Sequence, residues 1–177
     1  MSDVGNVQQN EDRQTAVQQA ADELASRLKA LAETLAPIAT PRRVPYGPGR
    51  LGKFARRQSP EGYVLDQVSL KILLPDGRLW NYSRSESTRF PTGRLFDARV
   101  DYPEFAGGQS ALGGREFVFL GAVLDKYSFG WAAPDDSVSE SDAGGLCAIY
   151  GEGRVVRWVT ADDAFRVIAE SALARQR

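Results

Sequence analysis

The residue types that most often carry chemistry near neutral pH are thin in this sequence. There is no histidine among its 177 residues, which removes the commonest general base and the commonest transition-metal ligand. A single cysteine, Cys147, lies between Leu146 and Ala148 in an apolar run. No internal disulfide can form, and structural zinc sites, Ser-His-Asp catalysis and Cys-His catalysis are all excluded. For Cys147 the apolar neighbours favour a buried, inert thiol over a reactive one. Carboxylate pairs, Ser-Lys dyads and magnesium sites stay open, with nothing positive pointing to them. Asp97, Asp101 and Glu104 could line a small pocket, but no two of them have a spacing that implies an active site. The acidic run Asp135, Asp136, Glu140, Asp142 invites comparison with a calcium loop. It lacks the Asp-x-Asp-x-Asp-Gly order followed by Glu, and its flanks read as strands, so a solvated loop is the better reading. The glycine-rich stretches Tyr46–Gly49 and Gly107–Gly114 have no Lys-Ser/Thr ending and no strand-to-helix setting, so they do not cradle phosphate. The expectation is a protein that is not an enzyme, with no catalytic residues, no metal and no small-molecule cofactor.

Recognition chemistry is better represented. The overall net charge is only −1, yet residues 1–39 carry −3, residues 40–100 carry +7 and residues 101–177 carry −5. Such segregation speaks to partners and association rates, not to fold. Arg42, Arg43, Arg50, Lys53, Arg56 and Arg57 follow one another without an acidic residue between Pro41 and Pro60, together with Tyr46 and Phe54. Counterion release and base stacking could make this stretch a nucleic-acid site, but the chain is slightly acidic and shows no signature of an established nucleic-acid fold. A solvated connector and a protein-docking surface are the other readings. The segment Asn81–Arg94 carries Arg84, Arg89, Phe90 and Arg94, and a second candidate tip consists of Asp125, Lys126 and Tyr127. Arginine and aromatic residues dominate interface hot spots, and a long loop within a compact domain is either functional or disordered. These seven residues are the candidate partner-binding set. Against that stands the plainer possibility that the aromatics fill the core beneath the loops.

The elements that must position these residues follow from periodicity. Residues 1–10 are polar and aperiodic and read as disordered. From 11 to 36 the pattern is helical: Val17, Ala21, Leu24, Leu28, Leu31 and Leu35 form one stripe, which can lie on a sheet of the same chain or form a seam with a partner. Pro37 and Pro41 end that helix, and prolines and glycines make residues 37–60 a connector. Residues 63–159 read as strands. Tyr63–Leu74 alternates, with Val64, Val68, Leu70, Ile72 and Leu74 available for a buried face, and Pro75-Asp76-Gly77 turns the chain back into Leu79–Ser83, since proline fixes φ and glycine accepts positive φ. Arg94–Val100 is a candidate short strand. Glu116–Leu124 pairs with Tyr127–Ala133, and Leu146–Tyr150 pairs with Arg154–Val159 across Gly151-Glu152-Gly153. Residues 160–175 form a last helix: Thr160 caps it, Asp162 and Asp163 suit its N-terminal dipole, and Phe165, Ile168, Ala169, Ala172 and Leu173 supply the apolar face,. The expected fold is α+β in a single domain over residues 11–177. An antiparallel sheet of about six strands, built from hairpins, would carry an N-terminal and a C-terminal helix on it.

Three segments carry a resemblance: L-L-P-D-G-R-L-W-N-Y-S-R-S-E from Leu73, G-R-L-F-D-A-R from Gly93, and F-L-G-A-V-L-D-K-Y-S-F-G-W from Phe119. Over roughly residues 63–133 the chain resembles actinobacterial immunity factors, the antitoxins of secreted NAD-degrading toxins of the tuberculosis necrotizing toxin type. It does so by overall pattern, without a short diagnostic motif. The resemblance implies a non-catalytic protein of the producing cell's cytoplasm that plugs the NAD cleft of a cognate toxin protein. It carries no contact residues over to this chain position by position. The N-terminus shows neither a basic region nor an apolar core of a signal peptide, and no stretch approaches a membrane span. A cytoplasmic location without membrane contact is therefore expected. The alternative function is a nucleic-acid-binding accessory protein that uses the basic 42–57 segment.

Overall fold

The structure is a computed structural model and describes residues 3–43, 60–66, 71–83, 92–101, 117–124, 127–132, 146–151 and 154–176. Helix α1 spans Asp3–Leu35. Four strands follow, β1 (Tyr63–Asp66), β2 (Lys71–Leu73), β3 (Leu79–Ser83) and β4 (Thr92–Phe96). After the one-turn helix α2 (Ala98–Asp101) come β5 (Phe117–Leu124), β6 (Tyr127–Ala132), β7 (Leu146–Gly151), β8 (Arg154–Thr160) and helix α3 (Ala161–Gln176). The α+β class and the antiparallel pairing are as the sequence led one to expect. The single six-stranded sheet is not. The strands form two four-stranded antiparallel meanders, β1-β2-β3-β4 and β5-β6-β7-β8.

The difference starts within Tyr63–Leu74. Its alternation reads as one strand, but the chain folds back inside it, so that Tyr63 pairs with Leu73, Val64 with Ile72 and Asp66 with Lys71 across an irregular register. Val64, Ile72 and Leu74 are buried as expected, and so are Tyr63, Leu65 and Leu73 on the other parity. Val68 and Leu70 lie outside the described residues. A strand buried on both faces reads as a continuous apolar run rather than a clean alternation, which hides a turn. The Arg94–Val100 expectation is also divided: β4 ends at Phe96 and α2 takes over at Ala98.

The helices behave as their stripes require. In α1, Ala21, Leu24, Leu28, Leu31 and Leu35 are buried and Val17 is partly so. The helix begins at Asp3, inside the stretch expected to be disordered, and residues 5–15 are exposed along it. In α3, Phe165, Ile168 and Ala172 are buried together with Ala161 and Ala164. Both helices cover the face formed by Tyr63, Leu73, Leu79 and Phe96 on one sheet and Val118, Phe129 and Trp131 on the other. Trp131 anchors the centre: its ring meets Phe165 edge-on at 6.0 Å, and its Nε1 donates to the Ala20 carbonyl at 3.1 Å. Arg27 ties the two helices, donating to Glu23 at 3.0 Å and Asp162 at 2.7 Å while lying 5.7 Å above the Phe165 ring.

Two close approaches hold the sheets in place. At Gly77, φ is +88°, and a Cβ there would come within 3.0 Å of the Lys29 backbone, so the β2–β3 turn packs against α1 only because the side chain is absent. The Gly121 position in β5 abuts the Leu65 carbonyl of β1, with 3.2 Å to a Cβ placed there, which brings the two meanders edge to edge. Among the described residues no helix is long and apolar enough to cross a membrane.

Candidate functional site

Two of the contacts between α1 and the sheets are Gly77 with Lys29 in the first meander and Trp131 with Ala20 in the second. In the first meander Asp66 and Ser83 leave their strands, and Lys71 and Thr92 enter theirs, at the end away from the Gly77 turn; in the second, Leu124 and Tyr127 are register partners at the close of the β5–β6 pair. Each of the two segments singled out for partner binding is therefore bordered by a register pair, Ser83 with Thr92 and Leu124 with Tyr127. Arg84, Arg89 and Phe90 lie outside the described residues, as do Asp125 and Lys126. Arg94 is placed in β4 by its backbone and pairs in register with Asn81. Tyr127 opens β6 across from Leu124 and is half-buried.

Across the first meander runs a row that the sequence did not announce. Asp66, Lys71, Asn81 and Arg94 occupy consecutive register positions across β1, β2, β3 and β4. Asp66 and Lys71 are each only 4% exposed and are the buried charged residues among those described. Burial pushes the Lys71 ammonium down to about 7, and the Asp66 carboxylate acts in the opposite sense, holding the proton on. A lysine poised there can serve as a base or as a Schiff-base nucleophile if a substrate reaches it. At this exposure neither group meets solvent, and the two are register partners where β1 and β2 meet. The sequence holds little signal for it: Asp66 and Lys71 stand five residues apart in a stretch that also contains the polar Gln67 and Ser69.

Other candidates find structural employment. Asp97 accepts from the Arg99 amide at 3.1 Å, while the Asp101 carboxylate accepts from the Asp97 amide at 2.8 Å. The two carboxylates thus cap α2 reciprocally instead of meeting in a cleft. Glu104 lies outside the described residues. Of the basic 42–57 segment, Arg42 bridges antiparallel to Gly62 and donates to the Arg175 carbonyl at 2.8 Å, satisfying the end of α3,. Arg43 stands 3.8 Å from Glu61. The other basic residues lie outside the described residues. Cys147 sits in β7, paired with Trp131 and Val159.

A second concavity was not foreseen. A groove of about 460 Å³ lies between β8 and the first turns of α3, floored by Phe129, Ile149 and Val167 and flanked by Arg157 and Arg166. The register row Phe129–Ile149–Arg157 delivers Arg157 to its rim. Cap formation delivers the rest: the Thr160 hydroxyl accepts from the Asp163 amide at 3.2 Å and donates to the Asp163 carboxylate at 3.1 Å, which starts α3 directly beside the strand. Compared with known proteins, the chain matches no family model, and no curated protein or solved structure shows similarity to it.

Proposed function

We propose that the chain is a non-catalytic immunity protein that acts by docking its β3–β4 and β5–β6 segments over the active site of a cognate NAD-degrading toxin in the cytoplasm. What supports this reading is that paired strands border both segments that hold Arg84, Arg89, Phe90, Arg94, Asp125, Lys126 and Tyr127: Ser83 faces Thr92 in register, and Leu124 faces Tyr127. The segments that carry the resemblance to immunity factors run through β2 to β6 and border both sets of candidate residues. The buried Asp66–Lys71 pair, in one register row with Arg94, fits a preorganised support, which lowers the ordering cost of binding.

Co-expression with the product of a neighbouring toxin gene tests the proposal, with hydrolysis of NAD by the toxin as readout. The intact chain is expected to form a stable complex and suppress hydrolysis. The combined charge reversal Arg84→Glu, Arg89→Glu, Lys126→Glu is expected to weaken inhibition at least tenfold. A toxin that stays active in the presence of the intact chain would overturn the reading.

A further inference from the structure

The outer edge of β8 supplies a separate observation. Sheet β5-β6-β7-β8 ends there, and among the described residues β8 pairs on one side only, with β7. Proteins usually blunt such edges with charge, proline, a bulge or a covering element. Here the strand Arg154–Thr160 reads R-V-V-R-W-V-T. Its register against β7 shifts between Ile149 and Tyr150, leaving Val156 without a register partner. From Arg157 to Thr160 the pairing is regular, with Trp158 37% exposed on one face and Arg157 exposed on the other. Beside that second face lies the groove between β8 and α3, with its floor of Phe129, Ile149 and Val167. A strand added along the regular stretch Arg157–Thr160 would therefore set alternate side chains into the groove and the others beside Trp158.

Charge selects the occupant. The strand holds two arginines and no carboxylate, and Arg166 stands on the facing helix with contacts of only 3.5 Å to Asp163 and Glu170. Asp163 is already engaged as the partner of the Thr160 cap. A second copy pairing β8 against β8 would bring two arginine-bearing strands together, and like charges across strands are destabilising. A single-stranded nucleic acid could use the arginines and Trp158, but it would leave the backbone row of β8 unused. We infer that the outer edge of β8 is a docking strand for an extended acidic segment of a partner protein, which adds to the sheet by main-chain pairing and sets its carboxylates against Arg157 and Arg166 over the apolar floor of the groove. This goes beyond the proposed toxin-blocking segments, which belong to β3–β4 and β5–β6, and does not depend on them.

Fluorescence anisotropy with labelled heptapeptides tests this on the full chain. The probes are an alternating glutamate–valine peptide, its lysine–valine counterpart, and two forms of the first that are N-methylated at one or the other alternate set of residues. Strand addition requires that one N-methylated form bind like the parent while the other loses at least tenfold. The glutamate peptide is expected to bind at least tenfold more tightly than the lysine peptide, and Arg157→Glu with Arg166→Glu should reverse that preference. The milder Arg157→Gln, Arg166→Gln pair should abolish the preference. Four results would each overturn the inference: equal binding of the two N-methylated forms, no preference for glutamate, stronger binding of oligothymidylate than of the acidic peptide, or self-association of the chain through β8.

Discussion

The Asp66–Lys71 pair puts the sharpest demand on individual side chains. Below about pH 7, where Lys71 carries its proton, removing Asp66 leaves a buried charge uncompensated, which costs on the order of 3–5 kcal/mol. Asp66→Asn should therefore destabilise the fold strongly, while Asp66→Asn with Lys71→Met should recover much of the loss; urea unfolding of the three proteins checks this. The pair also sets a pH dependence. Lys71 loses its proton near 7 in the folded chain, against an ordinary lysine value of 10.5 once the chain unfolds, so between these values the unfolded chain holds more protons. Stability then rises with pH across that window, and the burial penalty is fully present below it. Urea midpoints from pH 6 to 10 should rise in the intact protein, rise from a lower starting pH in Asp66→Asn, and lose this component in the double variant. A flat profile in the intact protein would contradict the assignment. None of this was legible beforehand, because alternation placed Lys71 on the solvent side of a strand assumed to have one wet face. The fold buries both faces there, and a single-sequence pattern does not show which residues will cover the second face.

Elements were more legible where the signal was local. The turn at Pro75-Asp76-Gly77 appears as read, closed by the Gly77 amide to the Leu74 carbonyl at 3.0 Å and by the Asp76 carboxylate on the Arg78 amide at 3.0 Å. Gly77→Ala meets a positive φ and the Lys29 backbone together, and should cost about 1–3 kcal/mol. The Thr160 cap was read from sequence and is present, so Thr160→Ala should cost about 1 kcal/mol; chemical denaturation measures both. The hairpins Phe117–Ala132 and Leu146–Thr160 were also visible, since each strand pairs with its neighbour in sequence. The division into two sheets was not visible. It depends on the turn after Asp66 and on Gly121 lying against Leu65, a contact between residues 56 positions apart. The groove beside β8 escaped for a similar reason: Arg157 and Arg166 sit on different elements, and only the docking of α3 brings them to one rim.

At the scale of the whole molecule, the two meanders are joined by the helices more than by each other, and the helices are unequally engaged. At 1.5 Å per residue α1 is about 50 Å long, yet residues 5–15 are exposed and the buried stripe begins near Ala20. Deleting residues 1–14 should change folding stability by less than about 0.5 kcal/mol, whereas Leu24→Ala, at a fully buried position, should cost about 2–5 kcal/mol. Thermal unfolding of the two variants separates the exposed half of the helix from the working half. The working half has its own difficulty during synthesis. Its apolar stripe leaves the ribosome early, but Trp131 arrives 111 residues after Ala20, and Asp162 arrives 135 residues after Arg27. At roughly 5–20 residues per second, Leu24, Leu28 and Leu31 wait on the order of ten seconds for their cover. For that interval the nascent chain presents an amphipathic helix with nothing to lie on. That is the surface a ribosome-bound chaperone would shield, and its demand for shielding should end when α3 emerges.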